Sequence, residues 1–236
     1  SRVCPFNCEF CDVVILNGRT PRTKTSAQII EELDNLYDLG WRGGIFFVDD
    51  NLIGNKQRLK KEVLPEIIEW QKRKRFPFSF NTQVSINLSD DEELIKLLVS
   101  AGFTTVFVGI ETPEEGSLEE CSKYHNKNRD LINSVKKLQN FGLEVQGGFI
   151  VGFDNDTPAI FQKQIDFIQK SGIVTAMVGL LSAIPKTRLY KRLFDSKRIT
   201  TESTGNNTSV STMNFIPKME PKLLFSGYKK ILDTIY

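Results

Sequence analysis

Short apolar, β-rich runs alternate with amphipathic helical stretches along most of this 236-residue chain. That alternation points to a parallel α/β sheet or barrel, because each strand must be followed by a crossover before the next parallel strand can pair with it. The apolar stripe Ile29, Ile30, Leu33, Leu36 and Tyr37 predicts a first helix over about Ser26 to Asp38, capped by Thr25 or Ser26 and stopped by Gly40. Gly44 to Val48 reads as a fully buried strand, and a second helix is expected from about Arg58 to Lys74. Phe78 to Val84 is the next strand. Ser89-Asp-Asp-Glu92 has the form of a capping box opening a helix with Leu94, Leu97 and Leu98 inward, closed by Gly102. Thr105 to Ile110 is a strand, Arg129 to Phe141 a helix ended by Gly142, and Val145 to Val151 a strand. Pro158 suits the first turn of a helix running to about Lys170, and Ala176 to Ser182 is the last strand.

Beyond Phe194 the composition changes. Residues 200–212 are rich in Ser, Thr, Asn and Gly, with the single apolar Val210, as in a flexible connection, and Pro221 to Ile235 is amphipathic. The expected organisation is a core domain over residues 1–195, a linker over 196–212, and the start of a further module over 213–236. The chain starts next to its most distinctive motif, without a methionine, and stops in mid-pattern, which reads as a fragment of something longer.

That motif is Cys4, Cys8 and Cys11, in the spacing C-x3-C-x2-C. Four cysteines in a chain of this length, with no apolar leader, do not form a secreted disulfide framework. Three thiolates are one fewer than a cubane iron–sulfur cluster takes from cysteine, so a cluster held here keeps one iron open to another ligand. A structural zinc site is the competing reading, with Cys121 or His125 as a remote fourth ligand, although zinc ligands come more often as two close pairs. Charge decides little else. Lys+Arg number 31 and Asp+Glu 29, which gives no nucleic-acid footprint. No apolar run is long enough to span a bilayer, and reduced cysteines suit the cytoplasm. His125 reads as a surface residue, Cys121 as a small buried or loop residue, and Lys72-Arg-Lys-Arg75 as the solvated end of a helix.

Polar residues recur at strand C-termini, where parallel barrels place their working groups: Asp49, Asp50 and Asn51, then Glu111 and Thr112, then Asp154 and Asp156. Together with the cysteine loop they suggest one shared pocket.

The cysteine triplet resembles the signature of the radical S-adenosylmethionine (radical SAM) superfamily, and the resemblance extends from Arg2 to about Leu193. It implies a partial parallel (β/α)6 TIM-like barrel, here with its first strand largely missing. It implies a [4Fe–4S] cluster on Cys4, Cys8 and Cys11, with the open iron chelated by S-adenosylmethionine. It places Phe10 beside the adenine, Asp49 and Asp50 where the second strand meets the cofactor's amino group, and Glu111 at the ribose hydroxyls. Gly148-Phe-Ile-Val-Gly152 resembles the fifth-strand G-x-I-x-G element, which brings Gly148, Ile150 and Gly152 against adenine. Three departures stand out: Asp49-Asp50-Asn51 replaces the usual G-G-E, and Val3 and Lys186 each stand where glycine is common.

The runs Asp49 to Gly54, Lys123 to Asp130 and Gly147 to Asp154 are similar to a narrower bacterial group with an N-terminal cobalamin-binding domain and a C-terminal extension, hopanoid-modifying enzymes among them. The implied activity is reductive cleavage of S-adenosylmethionine to a 5′-deoxyadenosyl radical that abstracts hydrogen from substrate. In a longer parent protein this would lead to cobalamin-dependent methylation of a lipid or terpenoid, with a reductant such as ferredoxin or flavodoxin. Two alternatives stay open at this stage: a radical SAM oxidoreductase or lyase without cobalamin, and a zinc-stabilised binding module.

Overall fold

The computed structural model describes residues 3–20, 22–201 and 213–236. A short helix, α1 (Val13–Asn17), follows the cysteine loop, and α2 (Ser26–Asp38) follows that. Thr25 accepts from the Gln28 amide while the Gln28 side chain accepts from the Thr25 amide, a reciprocal cap that fixes where α2 begins. Strand β1 (Gly43–Phe47) leads through a 3₁₀ turn into α3 (Lys56–Arg58), a π-turn over Leu59–Val63, and α4 (Leu64–Arg73), one helical run where one helix was expected. Then come β2 (Phe78–Val84), α5 (Glu92–Ser100), β3 (Phe103–Glu111), α6 (Glu115–Glu120), α7 (Leu131–Asn140), β4 (Glu144–Val151), α8 (Ile160–Ser171), β5 (Ala176–Leu180), α9 (Arg188–Asp195) and α10 (Pro221–Ile235).

All four strand pairings are parallel and the order is β1-β2-β3-β4-β5. Neighbours in sequence are neighbours in the sheet, so right-handed crossovers place every connecting helix on the same face. A sheet covered on one side only curls, and the result is a half-barrel. The helix-covered face holds the main core, with Trp70, Phe80, Phe103, Val108, Leu138, Val145 and Phe149 among its members. The inner face is open: Phe46 is 47% and Met177 58% exposed.

Several sequence expectations are corrected here. The run Gly44 to Val48 is not fully buried, since β1 alternates half-buried and exposed residues and Val48 is largely exposed. The cause is the uncovered inner face, together with β1's place at the sheet edge. Ser89 does not cap α5: it lies in a preceding 3₁₀ turn, and the Asp91 carboxylate accepts from the Leu94 amide instead. Pro158 stands in the turn ahead of Ile160, not in the helix.

The C-terminal helix packs on the core. Leu224 and Ile231 of α10 are fully buried in it. Gly227 permits this, because a Cβ there would sit 2.2 Å from the Phe161 ring. The Tyr228 hydroxyl donates to the Val178 carbonyl and that of Tyr236 to the Ala176 carbonyl, which satisfies part of the outer edge of β5. Arg198 and Ile199 are also fixed, Ile199 by a bridge to Phe215; the rest of the expected linker, from Glu202 onward, lies outside the described residues, as do Ser1 and Arg2.

Candidate iron–sulfur and cofactor site

Cys4, Cys8 and Cys11 are free, partly buried thiols on one loop. Burial pushes the Cys8 thiol up to about 11; Lys123 pulls the other way, while Glu111, Cys11 and Cys4 add to the rise. Cys11 is raised too, mainly by burial. Among the described residues no three His, Cys, Asp or Glu side chains stand as a ready-made metal ligand set.

The loop is gripped from several elements. The Asp50 carboxylate, just beyond β1, accepts from the Val3 amide at 2.9 Å, and the Asn51 side chain donates to the Cys4 sulfur at 3.8 Å while holding Ser85 through both its polar atoms. Val3 is buried at a φ of 128°, a conformation that favours glycine, the residue the superfamily commonly has there. Phe6 stacks on His125 with ring centroids 3.7 Å apart. His125 is therefore not the surface residue expected; burial, with Lys123 and Arg129 nearby, lowers its pKa to about 3. Phe10 packs on Phe153 in a small apolar cluster with Leu181, Leu189, Leu193 and Phe215.

Glu111 ends β3 in a local irregularity of the β3–β4 register, at a φ of 65°. Two buried amides pin that turn: Asn126 donates to the Gly109 and Ile110 carbonyls, and Gln164 to those of Glu111 and Ile150. The Glu111 carboxylate pairs with Lys123 at 2.5 Å, each side chain 10% exposed. Burial works against the Lys123 charge, but Glu111 outweighs it and the ammonium's pKa is raised. Gly109 has no room for a side chain because this pair lies over it. On β4, a Cβ at Gly148 would meet the Phe107 ring at 2.8 Å, and Gly152, at φ 107°, lies against Met213. Packing thus already requires both glycines.

The strand-end carboxylates do not all share one pocket. Asp50, Asn51 and Glu111 flank the cysteine loop. Asp156 instead accepts from the Gly152 and Phe153 amides and from Ser117, and Asp154 joins a group of arginines. Asp49 is buried and lines a cavity of about 690 Å³ between α2 and β1, away from the cysteines. Lys123, Asn126, Gln164, Glu9 and Arg192 escaped the sequence reading as site residues, although Glu9 lies inside the cysteine motif and Lys123 and Asn126 inside a run that it quoted.

The radical SAM superfamily profile matches residues 1–168, and a domain of unknown function (DUF4070) matches residues 187–236. The chain belongs to the radical SAM superfamily. An uncharacterized methyltransferase of Synechocystis sp. is 46% identical over the whole chain, which covers 44% of that protein. The hopanoid C-2 methylase of Rhodopseudomonas palustris is 42% identical over 80% of the chain and 36% of that protein. The chain thus spans less than half the length of these relatives. Among solved structures, the radical SAM methyltransferase TsrM of Kitasatospora setae, with cobalamin and a [4Fe–4S] cluster bound, superposes with a TM-score of 0.73 at 16% identity, over 94% of this chain and 44% of that one. This establishes the fold as the radical SAM partial barrel.

The donor set suits the superfamily's cluster: three soft thiols on one loop, unpaired in disulfides. Both candidates for a fourth, zinc-type ligand have other contacts. Cys121 is buried with its sulfur 3.6 Å from the Leu118 carbonyl, and His125 is stacked on Phe6.

Proposed function

We propose that this chain is the radical SAM core of a methyltransferase, holding a [4Fe–4S] cluster through Cys4, Cys8 and Cys11, with S-adenosylmethionine on the open iron. When bound, the cluster and S-adenosylmethionine supply a 5′-deoxyadenosyl radical able to abstract hydrogen from an unactivated C–H bond. The chain's own residues hold and orient. Asp50 and Asn51 fix the start of the cysteine loop. Lys123 engages one oxygen of Glu111 and leaves the other to accept a ribose hydroxyl. Gly148, Ile150 and Gly152 offer the end of β4 to the adenine, with Phe10 as a further contact.

The observation carrying this reading is a loop of three free cysteines, with Cys121 and His125 each engaged elsewhere, in a chain of this family. Cobalamin dependence rests on the relatives and would be served by residues outside this chain. A neutral lipid or terpenoid substrate is favoured by the named hopanoid relative and by the inner face, where Phe46, Phe107, Ile150 and Met177 accompany the amides Asn81, Gln83 and Gln146. A small electron-transfer protein such as ferredoxin or flavodoxin would reduce the cluster, and an oxygen-sensitive centre suits the cytoplasm. No helix among the described residues is long and apolar enough to cross a membrane.

Anaerobic reconstitution of the full-length protein should give about four iron and four sulfide with broad visible absorption. Dithionite and S-adenosylmethionine should then yield 5′-deoxyadenosine. Cys8→Ala should abolish the chromophore and Cys121→Ala should keep it. Stoichiometric zinc without a chromophore, or an intact reduced cluster that yields no 5′-deoxyadenosine, would overturn the proposal.

A further inference from the structure

Behind the cysteine loop six charged side chains meet among the described residues: Glu9, Glu120, Asp154, Arg192, Arg198 and, 3.8 Å from Asp154, Lys218. Arg192 of α9 uses all three guanidinium nitrogens. Nε and Nη2 clasp both oxygens of Glu9 at 2.8 and 3.0 Å, Nη2 also reaches Glu120 at 3.0 Å, and Nη1 reaches Asp154 at 2.9 Å. Arg198 adds a second fork, both nitrogens 2.7 Å from the Asp154 oxygens. Burial works against the Asp154 charge, yet Arg198 and Arg192 outweigh it and hold that carboxyl below its usual range. Glu120 in turn accepts from the Asp154 and Asn155 amides.

Glu9 lies between Cys8 and Cys11. Its side chain is 11% exposed, and its backbone is held as firmly: its amide donates to the Cys121 carbonyl, and its carbonyl accepts from the Leu189 amide. Arg188 donates to the Asn7 carbonyl. Leu189, Leu193 and Phe215 supply part of the apolar floor on which Phe10 rests. Both forks, the Leu189 bond to the Glu9 carbonyl and this part of the floor come from described residues within 187–236, the stretch that matches a domain of unknown function.

We propose that α9, with Arg198 and Phe215, acts as the clamp of the cysteine loop, with Arg192 as its positioning residue. Arg192 fixes where Cys8 and Cys11 stand, while Asp50 and Asn51 independently fix Cys4. A planar guanidinium is required, because a lysine keeps the charge but cannot grip Glu9 bidentately and reach Asp154 at once. The clamp would set how easily the loop opens, and so how readily the cluster is assembled, retained and tuned. The last consequence rests on the cluster assignment above; the loop geometry does not.

The test uses the full-length protein in its metal-free, reduced form, with alkylation rates of each cysteine followed by mass spectrometry. Arg192→Met should speed labelling of Cys8 and Cys11 about tenfold, the order expected when a charge-assisted bond restraining local opening is lost. Cys4 should change less, Arg192→Lys should fall between, and Cys121, buried beneath, should stay protected. Should Arg192→Met expose Cys121 as well, Glu9→Gln is read instead, and a rise of about threefold at Cys8 and Cys11 is expected from weakening the same fork. Labelling of Cys8 and Cys11 at the wild-type rate in the variant that keeps Cys121 protected overturns the clamp. In the reconstituted protein, Arg192→Met should also lose iron to a chelator faster and alter the cluster's electron paramagnetic resonance line shape. Faster labelling in a protein whose wild type never assembles a cluster would leave the clamp standing and remove the cluster assignment.

Discussion

The two faces of the β4–β5 pair obey different rules. Facing the helices, Phe149 is 2% exposed and meets Phe167 edge-on at 5.8 Å; one residue away on the same strand, Gly148 shows the inner face a backbone covered by the Phe107 ring. Across the ladder Met177 pairs with Gly148 and stands 58% exposed. Parallel sheets are ordinarily covered on both sides. An inner face left open and furnished with amides, glycines and a few apolar side chains is the surface we propose for a ligand. Stability should therefore be concentrated on one face and binding on the other, and substitutions can test that division.

The largest effect is expected outside. Phe149→Ala removes a fully buried ring from the packed face and should cost about 3–5 kcal/mol in urea unfolding. A loss below about 1 kcal/mol would mean that the outer face is not where the fold is held.

Next comes the charged pair at the strand ends. Lys123→Met leaves the Glu111 carboxylate buried without its partner and should destabilise by about 3 kcal/mol. Adding Glu111→Gln should recover most of that, because two neutral groups need no compensation there. If the double variant is no more stable than Lys123→Met, Lys123 matters through packing and not through charge.

How far this was legible in the sequence follows the range of the interactions. Thr25 and Gln28 cap α2 three residues apart, so helix and cap could be read directly. The strands could be read as well, because their apolar runs report burial on at least one face. What could not be read is whether the second face is covered, since that depends on the order of strands; hence the misjudged burial of β1. The cysteine triplet is marked in the sequence by its spacing, which resembles the superfamily's signature. Its supports do not: Arg192 and Glu9 are 183 residues apart, and nothing local marks either of them. His125 and Phe6 are ordinary until the fold stacks them. The Ser89 error has a local cause: Asp91, one residue before α5, competes for the same cap and wins.

Asp156 offers a pH handle on the turn that joins the two faces. Burial pushes its carboxyl up to about 6, against the opposing bonds from Ser117, Gly152 and Phe153. The unfolded carboxyl ionises near 4, so between about pH 4 and 6 the folded protein holds more proton at this site. Its contribution is therefore full below about pH 4 and is lost as pH rises to about 6, by roughly 2–3 kcal/mol. Asp156→Asn should flatten stability across that window. An unchanged slope would show that Asp156 ionises normally behind its three hydrogen bonds.

The smallest effect is the sharpest test of the division between faces. Met177→Ala removes a large side chain from the same strand pair as Phe149, yet most of Met177 is already in water and no cavity is created. Its unfolding free energy should stay within about 0.5 kcal/mol of wild type. In the full-length protein, once a substrate is in hand, the same change should raise KM with little effect on kcat, because it removes apolar contact made equally in the ground and transition states. A stability loss comparable to that of Phe149→Ala would show that the inner face belongs to the core after all. The amides and apolar side chains there would then be packing, and the case for a neutral, largely apolar substrate would fall with it.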